Sequence, residues 1–337
     1  MQDAIRELIE RGTIDAALAT GAMEEIMSGS ATPAQMGAFL TALRLRGETA
    51  EIIAACARVM QAHAEAVPIS DVIDVVGTGG DGRDTINVST AAAIVVAGAG
   101  GRVAKHGNRA ASSKAGSADV LEALGAKTNL GGLDVARVIE ACGFCFVFAQ
   151  RFHPSMRHVG GVRRELAVRT IFNVLGPLTN PARPRGLLAG AGVKSLAPVM
   201  AEAFALRGME RTIVVHSADG LDEISPAGAT HAWFVDGGVV SQRDLHPSDF
   251  GLPEHPLESV FGGSPEYNAG KILAVLDGIE GPEADFVVMN AAAACYVAGL
   301  APDLATGTLV AQQAIASGRA REVLDHYVAL TREVADA

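Results

Sequence analysis

Three groups of residues in this chain could do chemistry. The first is Gly77–Thr90, GTGGDGRDTINVST. Gly77, Gly79 and Gly82 spell G-x-G-x-x-G, a pattern that holds dinucleotides. That reading demands an acidic residue about 20 positions on, to take the ribose hydroxyls. The chain has no Asp or Glu between Asp84 and Asp119, while Arg102, Lys105, Arg109 and Lys114 give +4, with His106 beside them. A Walker loop fails too, because Arg83-Asp84 follows Gly82 where Lys-Ser/Thr is needed. What remains is an anion site of another design. Glycines let backbone N–H groups approach an anion, and Ser89 and Thr90 add hydroxyls at a helix start. Lys105, Arg109 and Lys114 are expected to face the same pocket, a setting suited to a polyphosphate. Asp81 fits beside an anion only if it accepts from ligand hydroxyls or bridges through a metal.

The second group is Asp219-Gly220-Leu221-Asp222-Glu223. Adjacent carboxylates repel unless a cation neutralises them, and Mg²⁺ favours one or two carboxylates plus phosphate oxygens. The third runs through His153-Pro154-Ser155-Met156-Arg157-His158, Val162-Arg163-Arg164-Glu165 and Asn173–Pro181. Between 151 and 164 it has four Arg, two His and no acid. An Arg fork there could receive an organic carboxylate. Arg157 and Arg164 are expected to face water instead.

These groups need elements to position them. Residues 1 to about 66 read as four short helices. Thr32-Pro33-Ala34-Gln35 is a capping box with Pro at the first helical position, followed by the stripe Met36, Phe39, Leu40, Leu43. Gly47 ends that helix and Thr49 caps the next. From Val72 the period changes. Val72–Val76 reads as a strand, Ser89-Thr90 open a helix closed by Gly98, and Gly101–Lys105 is a second strand. A helix from Ala118 to Leu124, preceded by Ser117, follows, then a buried strand at Phe146–Ala149 and another at Thr212–His216. Asp236-Gly237-Gly238 makes a hairpin between Trp233 and Val240. From Asn268 the chain reads as helical. Alternating strands and helices predict an α/β fold with a mostly parallel sheet, and no internal repeat or low-complexity linker is present.

Composition narrows the options. The chain has 337 residues, 49% hydrophobic and 19% charged, enough for a large core and about two domains. A formal net charge of -11 argues against a general nucleic-acid binder. The longest apolar runs are too short to span a bilayer, and MQDAIRELIERG is not a signal peptide, so a cytoplasmic location is expected. Cys142 and Cys145 form a C-x-x-C, but no second pair exists for a zinc ribbon. They read as core cysteines, as do Cys56 and Cys295.

Together these residues resemble the anthranilate phosphoribosyltransferase family over nearly the whole chain. The resemblance rests on GTGGD at 77–81, NVST at 87–90, KHGNRAASSKAGSADVLEALG at 105–125 and HPSMRH at 153–158. It extends to VRREL at 162–166, FNVLGPLTNP at 172–181 and DGLDE at 219–223. It implies a small N-terminal helical domain, residues 1–67 with a contribution from about 163–185, and a large α/β domain, 68–162 and 186–337. It implies a homodimer, the substrates 5-phosphoribosyl 1-diphosphate (PRPP) and anthranilate, and Mg²⁺. The PRPP site would be lined by Gly77, Gly80, Asp81, Thr85, Asn87, Ser89, Thr90, the run Lys105, His106, Gly107, Asn108, Arg109, Ala110, Ala111, Ser112 and Ser113, and Ser117. Mg²⁺ would be held by Ser89, Asp222 and Glu223. Anthranilate would meet Gly77, Asn108, His153 and Arg163, and Lys105, Asn108 and Arg163 would serve catalysis. The chain departs from relatives at Gly161, where Pro is frequent, at Ala167, where Gly is frequent, and at Cys145, which replaces an aliphatic residue. Two rivals share the scaffold: a pyrimidine nucleoside phosphorylase, which has no diphosphate site, and a non-enzymatic nucleic-acid binder, which needs a basic surface.

Overall fold

The structure is a computed structural model that describes residues 1–110 and 113–335. Four helices open the chain: α1 (Gln2–Glu10), α2 (Ala16–Met27), α3 (Pro33–Arg46) and α4 (Ala50–Ala62). The capping box closes on both sides: Thr32 Oγ1 accepts from Gln35 N and Thr32 N donates to Gln35 Oε1. Gly47 leaves the helix at φ 91, and the Thr49 hydroxyl caps α4.

The large part is built on seven strands in the order β3-β2-β1-β4-β5-β6-β7. They are β1 (Ile73–Gly77), β2 (Val103–Gly107), β3 (Phe144–Phe148), β4 (Gly186–Gly190), β5 (Arg211–Ser217), β6 (Thr230–Asp236) and β7 (Val239–Leu245). β1 to β5 run parallel, and β6 and β7 are antiparallel additions joined by the Gly237-Gly238 turn. Between them lie α5 (Val88–Gly98), α6 (Ser117–Ala123), α7 (Gly132–Cys142), α8 (Ala149–Phe152), α9 (Arg157–Leu166), α10 (Phe172–Leu175) and α11 (Ala197–Leu206). The C-terminal helices are α12 (Pro265–Leu276), α13 (Pro282–Val297), α14 (Leu304–Ala316) and α15 (Arg319–Ala335). No described helix is long and apolar enough to cross a membrane.

Two apolar cores result. One packs α5 and α12–α15 against the sheet. The other joins α1–α4 to Val159, Val162 and Ile171–Leu178, and reaches the sheet through α11. The stretch around α9 and α10 is thus buried with the N-terminal helices although it lies far away in sequence. The four cysteines are free, and Cys56, Cys145 and Cys295 are buried in these cores.

Two local expectations shift. α5 begins at Val88 with Asn87 as its cap residue, not at Ser89. It ends at Ala99 in a right-handed conformation, while Gly98 stays helical. A Cβ at Gly98 would come within 2.6 Å of the Ala320 Cα, so that glycine serves helix packing and not termination.

Candidate active site

The carboxyl ends of the parallel strands converge on one cavity of about 740 Å³. In open α/β sheets, ligands bind where the strand order reverses. Here that point lies between β1 and β4, and their last residues, Gly77 and Gly190, are register partners. Asp222 sits across both. A Cβ at Gly77 would meet Asp222 Oδ2 at 2.2 Å, and one at Gly190 would meet the Asp222 carbonyl oxygen at 1.6 Å. Only glycine fits at either place. The Asp222 carboxylate also accepts from Gly79 N at 2.7 Å, which fixes the glycine loop against the acidic turn.

After Gly77 the chain runs as a loop until Val88, so this is not the tight strand-to-helix turn of a dinucleotide fold. The loop carries Asp81 toward Asp222. Burial and the Asp222 charge push the Asp81 carboxyl up to about 6. Burial also raises Asp222, and Glu223 well above the ordinary range. Glu223 Oε2 accepts from the Thr85 hydroxyl at 3.4 Å. Asp219 is separate from these three: it accepts from Ser217 Oγ and Ser225 Oγ and does not line the cavity.

The basic residues behave differently from one another. Lys105, on β2, is 1% exposed and donates to the Val75 carbonyl at 2.6 Å and to Ser89 Oγ at 3.1 Å. Burial lowers its ammonium to about 8, against the pull of Asp74 and Glu223. Arg109 and Lys114 line the cavity, but their charges are already engaged. Arg109 pairs with Asp119 at 3.1 Å and Glu122 at 2.7 Å, and Lys114 with Asp84 at 3.6 Å. The positive potential expected of the acid-free window is therefore largely offset by acids flanking it.

The third group divides. Arg151 pairs with Glu65, and Arg157 and Arg164 are exposed, as expected. Arg163, in the last turn of α9, faces the cavity. Burial lowers its guanidinium from the ordinary value. Its Cζ lies 5.4 Å from the Phe172 ring centroid, and among the described residues no carboxylate lies within 4 Å of it. The rings of His153 and His106 lie tilted at 56° to each other, with centroids 5.2 Å apart. Burial holds His106 down to about 3 and His153 down to about 4, so both are neutral at pH 7. The Nε2 atoms of both are buried without a partner.

Of the remaining expected residues, Gly80, Gly107, Asn108, Ala110, Ser113 and Ser117 line the cavity. Asn87 does so as well, but its side chain is tied to Ala115 O and Asn268. Thr90 does not: in the first turn of α5 it is fully buried, its hydroxyl without a partner among the described residues. Ala111 and Ser112 fall outside the described residues.

Sequence reasoning missed several supports. Asp74 is fully buried in β1, where it accepts from His106 N at 3.2 Å and Asn180 Nδ2 at 2.8 Å. Burial raises it to about 6. A single acid inside Val72-Ile73-Asp74-Val75-Val76 was the available signal. Asn268, whose Oδ1 accepts from Gly263 N, had none.

Among the described residues no three His, Cys, Asp or Glu are grouped to hold a metal alone. The donors nevertheless suit a hard cation. Asp81, Asp222 and Glu223 present carboxylate oxygens whose ionisation is suppressed by burial and, for Asp81 and Glu223, by the neighbouring carboxylates, and Mg²⁺ favours such carboxylates together with phosphate oxygens and water.

Two family profiles match the chain. That of the "Glycosyl transferase family, helical bundle domain" covers residues 2–64, and that of the "Glycosyl transferase family, a/b domain" covers 69–321. Anthranilate phosphoribosyltransferase of Thermomicrobium roseum is 49% identical over 99% of this chain and 97% of that protein. The crystal structure of the Thermus thermophilus enzyme superposes with a TM-score of 0.92 at 44% identity, covering 98% of this chain and 99% of that one. The Saccharomyces cerevisiae enzyme in complex with PRPP and Mg superposes at 0.90, with 32% identity and 98% of each chain covered. The same yeast enzyme bound to 4-fluoroanthranilate gives 0.88 at 32% identity, over 98% of this chain and 97% of that one.

Proposed function

The chain belongs to the anthranilate phosphoribosyltransferase family, and from that premise we propose how its cavity divides between two substrates. The reaction joins the amine of anthranilate to C1 of the phosphoribosyl group, giving N-(5-phosphoribosyl)anthranilate, and diphosphate leaves. PRPP lies over the glycine loop, with Thr85, Ser89, Asn108, Ser113 and Ser117 as polar contacts. Ala111 and Ser112 join that set by their place in the motif. Anthranilate lies toward α9. The observation that carries this division is Arg163: a desolvated guanidinium in the cavity without a carboxylate, suited to the substrate's own.

The aryl amine is neutral at pH 7, so no strong base is needed to make it a nucleophile. The barrier lies in charge building on diphosphate and at C1. Backbone N–H groups of the glycine loop and the Ser89 hydroxyl, which accepts from Lys105, would meet diphosphate charge. Asp222 and Glu223, with Ser89, would hold Mg²⁺, which when bound would neutralise the leaving diphosphate. The neutral imidazole of His153 lies beside the anthranilate position without adding charge.

We also read the protein as a cytoplasmic homodimer formed through the N-terminal helices. Ile9 at 61% exposure and Leu45 at 80% are apolar side chains that a partner could cover on that lobe, and light scattering should return the mass of two chains. The central test is fluorescence-monitored consumption of anthranilate with PRPP and Mg²⁺. Turnover is expected, and its absence across related ortho-aminobenzoates would overturn the reading.

A further inference from the structure

Arg169 belongs to no motif singled out in the sequence and does not line the cavity. It follows Ala167 at the end of α9, in the stretch packed with the N-terminal helices. Its Nη1 donates to the Gly80 carbonyl across 3.4 Å. A Cβ at Gly80 would stand 2.9 Å from that nitrogen, so the approach depends on the glycine. The Nη2 is buried with no acceptor among the described residues. Two carboxylates feel its charge. Burial raises Glu48, next to α4, and Arg44 and Arg169 pull the other way. Burial raises Asp222, and Arg169 is among the groups opposing that shift. The guanidinium thus stands where the small lobe, the glycine loop and the acidic turn meet.

We propose that Arg169 is a positioning residue that couples the seating of the glycine loop on diphosphate to the lobe that carries Arg163. The proposal rests on the assignment of PRPP to that loop. An N–H···O bond is normally about 2.7–3.2 Å, so the contact with the Gly80 carbonyl is long. A buried N–H without an acceptor is itself unfavourable. The long contact is relieved if an anion bound by the loop draws Gly80 against the guanidinium. Arg163 and Arg169 flank the same helix end, so the small lobe is pulled along and Arg163 is brought to bear on anthranilate. Binding of the first substrate then prepares the site for the second, a coupling that must be reciprocal.

The test is steady-state kinetics of the full-length protein with Arg169→Ala and Arg169→Lys, varying each substrate. Arg169→Ala should raise KM for PRPP by about tenfold while kcat stays within about threefold, the split expected when ground-state seating is lost. The rise in melting temperature given by Mg²⁺ with PRPP should shrink in the same variant. Arg169→Lys should recover part of the affinity, because the charge remains and the fork is lost. A KM for PRPP within twofold of the parent in a folded Arg169→Ala variant would overturn the proposal. So would an equal rise in both KM values with no change in the Mg²⁺–PRPP thermal shift. Should the alanine variant fail to fold, Arg169→Lys decides by the same KM comparison. Turnover by the parent protein is measured alongside: its absence would refute the substrate assignment instead.

Discussion

At the scale of single residues, Arg163 and the carboxylate trio make opposite demands. Arg163 is a cation without an anion, and Asp81, Asp222 and Glu223 are anions without enough cation. Each imbalance is removed by a ligand. Arg163→Ala should therefore raise KM for anthranilate by about tenfold to a hundredfold, the worth of a charged hydrogen-bonded pair, and spare KM for PRPP. A large loss of PRPP affinity in that variant would contradict the division of the cavity. The trio predicts proton release. Its carboxyls sit above their ordinary range, and a bound cation favours the ionised forms, so binding of Mg²⁺ with PRPP near pH 6 should expel protons. Calorimetry in buffers of differing ionisation enthalpy reads that number directly. Asp222→Asn with Glu223→Gln should reduce the release to what Asp81 alone contributes and weaken the Mg²⁺ dependence of turnover. Gly77→Ala should be as damaging as either, because its Cβ would displace the Asp222 carboxylate.

The helix α9 places Arg163, and its end is strained. Ala167 closes it in the left-handed region, at φ 50 and ψ 27. A side chain there costs about 1 kcal/mol or more relative to glycine. Ala167→Gly should stabilise the protein by about that amount, read as a shift in denaturation midpoint. The departure noted in the sequence is thus a backbone matter and leaves the cavity's lining unchanged. β1 and β2 show the same link between element and site. Asp74 in β1 holds the backbone of His106 in β2 and the Asn180 amide, so a buried carboxylate aligns two strands and the loop of the third constellation.

For the molecule as a whole, pH should act through two opposed sets. His106 and His153 are held at about 3 and about 4, below the unfolded value near 6.5. Their contribution is present above pH 6.5 and lost as pH falls toward 4. Asp74 and Asp81 are raised to about 6, so their contribution is present below about pH 4 and lost as pH rises through 6. Thermal or urea melts should show a histidine-driven loss on acidification that the two aspartates partly offset. His153→Gln should remove up to about 3 kcal/mol of pH dependence between 6.5 and 4; an unchanged profile would mean that this imidazole titrates freely.

Much of the site was legible without a fold. The acid missing between Asp84 and Asp119 argued against a dinucleotide, the adjacent Asp222-Glu223 pointed to a cation, and the acid-free run contained Arg163. Those readings rest on residue types, whose charge and hydrogen-bonding capacity travel with the sequence. The capping box at Thr32 and the alternation from Val72 onward are local in the same sense, since they depend on contacts a few residues apart. Tertiary structure decided the rest. It spent Arg109 and Lys114 on neighbouring acids, buried the Thr90 side chain within α5 away from the cavity, and brought Gly190 and Gly77 together under Asp222. It also set Arg169 against Gly80. Each of those outcomes depends on which distant groups become neighbours, and charge and space are fixed by neighbours.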